Sequence, residues 1–166
     1  MSDPRFPIDK IDQVCVVVRD LQRAMEHYWN VLGIGPWRVY TYGPRFLKEL
    51  TFRGKPGTYS MRLGIAQKGP TMFELIQPLD GPSIYHEFLE RNGEGIHHFG
   101  VFVPSLAEGI ARAKEAGYEV IQSGRATGAT GDGGYAYLST EDDLGAIYEL
   151  IEIPSVRRPP EAVYPA

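Results

Sequence analysis

Internal repetition constrains this chain more than any other feature. Gly95-Ile96-His97-His98-Phe99-Gly100-Val101-Phe102-Val103 has a partly disguised copy in Asp12-Gln13-Val14-Cys15-Val16-Val17-Val18. Superposed, Gln13 falls on His98, Val16 on Val101 and Val18 on Val103. Both copies then lead into a turn and a helix, at Arg19-Asp20-Leu21 and at Pro104-Ser105-Leu106. A second match follows each, for Phe73-Glu74-Leu75-Ile76 returns as Tyr148-Glu149-Leu150-Ile151. Each half therefore opens on a strand bearing one potential ligand and closes on a strand bearing a carboxylate. A chain of 166 residues, 43% hydrophobic and 23% charged, can bury a real core. The repeat thus implies two half-modules in one body rather than two independent domains.

The balance of charge removes several classes of partner. A formal net charge of -4 gives no electrostatic case for nucleic acid or an anionic membrane. One cysteine, Cys15, has no internal disulfide partner, which favours a reducing, cytoplasmic location. The first residues, Met1-Ser2-Asp3-Pro4-Arg5-Phe6-Pro7, have no apolar run and predict no secretory signal, and no later stretch has the length of a membrane span.

Taken along the chain, a strand is expected at about 11–18, with Gln13, Cys15 and Val17 on one face and the remaining valines on the other. Asp20 is placed to cap a helix whose Leu21, Ala24, Met25, Tyr28 and Leu32 form the core stripe, and Gly33 stops it. Gln13 and Glu74 are 61 positions apart, whereas His98 and Glu149 are 51 apart. The surplus ten residues are expected between Pro36 and Ser60, in an excursion rich in Tyr, Trp and Arg that either leans over a pocket or lies exposed. Trp37 to Tyr42 reads as a strand broken off by Gly43-Pro44, and strands over 61–66 and 72–77 complete the first half. A connector helix is expected over Ser83 to Arg91, and a second helix is capped by Ser105 with Glu108 and carries Leu106, Ile110 and Ala113 inward. Strands over 118–122 and 134–139 flank a Gly-rich loop from Gly124 to Gly134, read as a mobile lid. A last strand over 146–153 runs into a Pro-rich tail, 155–166, expected to be ordered only against a partner. Two copies of strand-helix-strand-strand-strand result.

That arrangement resembles the vicinal oxygen chelate superfamily of glyoxalases, bleomycin-resistance proteins and extradiol dioxygenases, over roughly Ile11 to Pro154. Gly93-Glu94-Gly95-Ile96-His97-His98 and Glu74-Leu75-Ile76-Gln77-Pro78-Leu79 are similar to stretches of the methylmalonyl-CoA epimerases in particular. The resemblance implies an α+β fold of two tandem βαβββ modules forming one cupped eight-stranded mixed sheet, within one domain spanning 1–166. Module 1 covers about 8–80, the linker helix about 82–93 and module 2 about 95–154. It further implies a homodimer, and one divalent metal ion held by Gln13, Glu74, His98 and Glu149. Here the sequence departs from the epimerase pattern, which has His at the position of Gln13, an amide at that of Glu74, and a further Glu near the position of Arg62. The Gln-Glu-His-Glu set is similar to that of some glyoxalase I enzymes.

One imidazole and three oxygen donors suit Zn, Co, Ni or Mn, and the lack of sulfur argues against a structural zinc site. Strand parity sets His98 beside Gly100 and Phe102, and Glu149 beside Ile147 and Ile151, so each polar group lies among apolar ones and needs a partner. A cation that chelates a carbonyl acidifies the neighbouring C–H, and a carboxylate, Glu149 or Glu74, takes the proton. The expected activity is therefore that of a metal-dependent isomerase or lyase on a small carbonyl or acyl-thioester substrate, with Arg38, Arg45, Lys48, Arg53 or Lys55 available for phosphates. The alternatives are a metal-free, bleomycin-resistance-like binding protein using Trp37, Tyr40 and Tyr42, and a ring-cleaving dioxygenase, whose triad wants two His where this set has one. Parity turns His97 to the opposite face in a structural role, His27 and His86 fall on helices as surface or packing residues, and Cys15 reads as a small buried hydrophobe.

Overall fold

The computed structural model describes residues 6–166. β1 (Gln13–Val17) leads through the Asp20 cap, whose carboxylate accepts from Arg23 N at 3.0 Å, into α1 (Leu21–Leu32), closed by left-handed Gly33. β2 (Trp37–Tyr42), β3 (Lys48–Phe52), β4 (Lys55–Pro56), β5 (Met61–Lys68) and β6 (Thr71–Pro78) follow. α2 (Ile84–Asn92) connects the halves. The second half is β7 (Gly95–Phe102), α3 (Leu106–Glu115), β8 (Val120–Thr127), β9 (Gly133–Leu138), the short α4 (Glu141–Leu144), β10 (Ile147–Glu152) and β11 (Ala162–Tyr164).

All of these strands form one open mixed sheet in the order β11-β2-β5-β6-β1-β7-β10-β9-β8-β3-β4. The inner eight repeat one pattern twice. β1 pairs parallel with β6, as β7 does with β10, and each of these closing strands is followed outward by two antiparallel neighbours. The two halves meet at β1 and β7, antiparallel.

Three strands beyond the expected eight correct the sequence reading. The surplus residues of the first half form the β3–β4 hairpin, which reaches across the molecule and pairs with β8 of the second half. The tail, expected to need a partner, instead lies on its own chain: β11 pairs with β2, and the Glu161 carboxylate accepts from both Thr41 N and Thr41 Oγ1 at 2.9 Å. Both additions lie along what would otherwise be edges, where unpaired backbone groups invite association. The Gly-rich stretch also shrinks, because β8 runs on to Thr127 and β9 begins at Gly133, leaving 128–132 as loop. Its glycines admit neighbours instead of loosening the backbone: a Cβ on Gly124 would lie 2.7 Å from the Tyr135 hydroxyl, and one on Gly128 2.7 Å from Pro154 Cγ.

The helices divide the core. Leu21 and Met25 of α1 pack with Trp37 and Leu75 on one face of the first half, and Leu106 and Ala113 of α3 do the same with Ala136, Leu138 and Leu150 in the second. Leu32, expected in the α1 stripe, is exposed. On the other face, Ile84, Tyr85 and Leu89 of α2 bury with Cys15, Val17, Ile76, Tyr137 and Ile147. Each fully buried side chain of this size contributes about 1.5–3 kcal/mol. That second face also carries the polar residues described next.

Candidate functional site

The β1–β7 junction places the polar residues in two rows across the sheet. Met72, Gln13, Gly100, Glu149 and Tyr137 are successive cross-strand partners in the first, and Glu74, Cys15, His98 and Ile147 in the second. All four residues expected from sequence, Gln13, Glu74, His98 and Glu149, therefore converge, each at least nine-tenths buried. Gly100 makes the first row possible. A Cβ there would lie 2.8 Å from both Gln13 Cβ and Ile151 Cδ1, so the Gln13 side chain occupies space that only glycine leaves open.

His98 Nε2 stands 3.1 Å from Glu149 Oε2 and 3.5 Å from Glu74 Oε2. The first distance permits an ion pair, yet the alignment is too poor for a hydrogen bond. Gln13 Oε1, His98 Nε2 and Glu149 Oε2 are buried without a hydrogen-bond partner among the described residues. Leaving such groups unpaired costs about 1–3 kcal/mol each, so this donor set fits a cation, with Glu74 as its fourth member.

The electrostatics follow from burial and proximity. Burial is the largest influence on Glu74 and pushes its carboxyl upward, against the lowering influence of the nearby His98 imidazole. Burial works against a charge on His98, but the Glu149 carboxylate, with Cys15 beside it, outweighs it and raises the imidazole well above its ordinary value. Cys15 is brought against this pair: its sulfur, a Glu74 oxygen and a His98 nitrogen lie within 4.8 Å of one another. Burial holds the thiol at about 12, so near neutrality it remains a protonated thiol. The sequence reading of Cys15 as a buried small residue stands, but its neighbourhood is polar.

His97 departs from the expected position. Cys15 pairs with His98 while the next residue, Val16, pairs with Ile96, so β7 carries one extra residue, His97, at a bulge. A bulge resets the alternation of side chains. His97 thus lies beside His98, with the two Nδ1 atoms 2.8 Å apart, and its ring packs against Phe88 and Tyr85. Burial, then the His98 charge, pushes His97 well below its ordinary value. A neutral His97 accepts a hydrogen bond from His98 Nδ1–H through its own Nδ1 and leaves His98 Nε2 turned toward the carboxylates. Outer partners of this kind fix the tautomer of a ligating histidine.

Tyrosines missed by sequence reasoning close the site. Tyr137 stacks edge-on to His98 at 4.9 Å and accepts a hydrogen bond from Tyr85 at 2.8 Å, which leaves its own hydroxyl hydrogen available. Tyr59 donates to Ser123 O at 2.7 Å and lies 2.8 Å from the Tyr135 hydroxyl. Tyr135 and Tyr137, two residues apart on one strand, were the available signal. A cavity of about 100 Å³ opens over Gln13, Glu74 and Glu149, walled by Tyr40, Tyr42, Leu63 and Tyr137 and also bordered by Arg157 and Arg158. Trp37 is instead buried under α1, and none of Arg38, Arg45, Lys48, Arg53 and Lys55 borders the cavity. On β5 the cavity-facing positions are Met61, Leu63 and Ile65, while Arg62 is exposed, so no carboxylate enters from that strand.

Residues 12–137 match the family model of the glyoxalase/bleomycin resistance protein/dioxygenase superfamily. The chain belongs to that superfamily. Among superfamily relatives, it is 26% identical over 147 residues to the ethylmalonyl-CoA/methylmalonyl-CoA epimerase of Cereibacter sphaeroides, covering 88% of this chain and 99% of that one. It is 27% identical over 145 residues to the uncharacterized protein YqjC of Bacillus subtilis, covering 87% and 93%. In fold it is similar to the methylmalonyl-CoA epimerase of Streptomyces coelicolor in complex with 2-nitronate-propionyl-CoA, at a TM-score of 0.66 and 21% identity over 92% of this chain and all of the other.

Proposed function

We propose that this superfamily member is a divalent-cation-dependent, epimerase-like isomerase that moves a proton on the carbon beside the carbonyl of a small acyl thioester. The observation that carries the reading is the convergence of three buried, unpartnered donors, Gln13 Oε1, His98 Nε2 and Glu149 Oε2, beside the Glu74 carboxylate. Gln13, Glu74, His98 and Glu149 hold the cation in this reading, which supplies Lewis-acid polarisation of a carbonyl and so acidifies its neighbouring C–H. The protein does the rest. Glu74 and Glu149, the two carboxylates in reach of the cavity, are the groups placed to accept and return the proton. Tyr137 offers its free hydroxyl hydrogen to an oxygen of the bound substrate. The tyrosines and aliphatic walls of the cavity exclude water, which strengthens each of these interactions. Relatives whose names state action on ethylmalonyl-CoA and methylmalonyl-CoA support an acyl thioester over other carbonyl compounds.

The test combines metal content with proton exchange. Protein purified without chelator is expected to hold about one divalent ion per chain, lost in His98→Ala and Glu149→Gln. The wild type is expected to wash solvent deuterium into the α-position of methylmalonyl-CoA or a related acyl-CoA. Full exchange in the metal-free variants would remove the cation from the reading. Absence of both metal and exchange would leave a ligand-binding protein.

A further inference from the structure

The cavity over Gln13, Glu74 and Glu149 has groups of opposite charge at its buried and exposed ends. Glu74 and Glu149 are buried at the inner end, whereas Arg157 is exposed and Arg158 half-buried at the outer one. Both arginines belong to the segment joining β10 to β11, which is tied down on either side of them. Before them, Ser155 N donates to the Asp132 carboxylate at 3.1 Å, and Ala129 N donates to Val156 O at 2.8 Å, fastening the segment to the β8–β9 loop of the second half. After them, Glu161 and β11 bind β2 of the first half. The segment therefore runs as a strap from one half to the other, across a cavity bordered by Thr127 and Gly128 on one side and Tyr40 and Tyr42 on the other.

Arg158 is held in a particular way. Its guanidinium lies 3.9 Å from the ring centre of Phe46 and 5.4 Å from that of Tyr42. Stacking engages the flat face of a guanidinium and leaves its edge donors free. One of them, Nη1, is buried and has no hydrogen-bond partner, and neither arginine is ion-paired, among the described residues. Structural arginines that lose water without gaining a carboxylate are costly. A preorganised, partly desolvated cation bordering a ligand cavity is instead suited to a carboxylate or phosphate.

We propose that the strap is the anion-recognition part of the substrate site: Arg158, with Arg157 beside it, receives a carboxylate or phosphate group of a substrate whose carbonyl end lies at Glu74, His98 and Glu149. This rests on the isomerase reading given above. The strap attracts an anionic group to its own side of the cavity, and this sets which way round the substrate enters.

Isothermal titration of the metal-free protein with malonate and with inorganic pyrophosphate tests this, using wild type, Arg157→Gln, Arg158→Gln and Arg158→Lys. Wild type is expected to bind at least one anion. Arg158→Gln should weaken it at least tenfold, Arg157→Gln less, and Arg158→Lys should keep part of the affinity. Preference for malonate identifies a carboxylate as the recognised group, and preference for pyrophosphate identifies a phosphate. Equal affinity in wild type and Arg158→Gln, or no binding of either anion at millimolar concentration by wild type, overturns the proposal. Should Arg158→Gln not fold, phenylglyoxal labelling of wild type with peptide mass mapping replaces it; labelling of Arg158 undiminished by either anion is then the overturning result. No cation or turnover is involved. A protein that exchanges α-protons but ignores Arg158 loses only the subsite, and one that binds anions through Arg158 without exchange loses only the isomerase reading.

Discussion

At the scale of residues, the site depends on what Gly100 lacks. The Gln13 side chain crosses the place where its Cβ would be, and Ile151 closes in from the other side. Gly100→Ala is therefore expected to cost about 1–3 kcal/mol of stability through overpacking. It should also weaken divalent-cation binding, because the Gln13 carboxamide has to move. Placed in a Gln13→Ala background, the same change should cost less, since the closest contact, with Gln13 Oε1, is removed while those with the Cβ of residue 13 and with Ile151 Cδ1 remain. Denaturant unfolding of the four proteins in a double-mutant cycle checks this, and additive costs would mean that Gly100 and Gln13 are not coupled. The four polar residues of this site were legible in the sequence because the repeat aligned them and strand parity set them on one face. His97 was not legible. Parity assigns it to the opposite face, and only the pairing of Cys15 with His98 and of Val16 with Ile96 reveals the bulge that returns it. Arg158 escaped for a different reason, since a Pro-rich tail has no periodicity from which its contact with Phe46 can be read.

At the scale of elements, the first half was readable where apolar periodicity was strong and failed where strands are short. α1 and α3 announced themselves through their caps and buried stripes. β3, β4 and β11 did not, because strands of five, two and three residues carry too little alternation to register, and their partners are distant in sequence. β3 packs on β8 through a Thr51–Ser123 hydroxyl contact of 2.7 Å, and β11 depends on Glu161. Two hydrogen bonds to an ionised carboxylate contribute about 1.5–3 kcal/mol each at most, and less where water competes. Glu161→Ala is accordingly expected to open the strap locally while leaving the global unfolding midpoint nearly unchanged. Hydrogen exchange is the suitable measurement: amides of Thr41, Val163 and position 161 itself should exchange at least tenfold faster, with β1, β6, β7 and β10 unaffected. Uniform acceleration across the sheet would show instead that the strap is part of the global cooperative unit.

At the scale of the whole molecule, the two halves concentrate titratable groups where they meet, so stability and cation binding are linked through pH. In the metal-free protein His98 is raised above its ordinary 6.5, the Glu149 carboxylate, with Cys15 beside it, overcoming the opposing effect of burial. A raised folded-state value means that the stabilisation is complete below 6.5 and is lost as pH climbs through the folded value. Glu74, raised by burial above its ordinary 4.5, acts in the same sense, since its ionisation is harder in the folded state. His97 is lowered and acts in the opposite sense, but its contribution is lost only as pH falls below 6.5. As pH rises above 6.5 the metal-free protein is therefore expected to lose stability, at up to about 1.4 kcal/mol per pH unit for each proton held more tightly by the folded state. A divalent cation reverses that slope. It binds the imidazole without its proton, so its affinity rises with pH over the same range, and at a thousandfold excess over its dissociation constant it stabilises the fold by about 4 kcal/mol. Urea unfolding midpoints at pH 7, 8 and 9, with chelator and with saturating Zn or Mn, should diverge, falling in the first series and holding or rising in the second. Parallel series would mean that the cation binds away from His98, and the proposed four-residue centre would have to be abandoned even if one ion per chain were found.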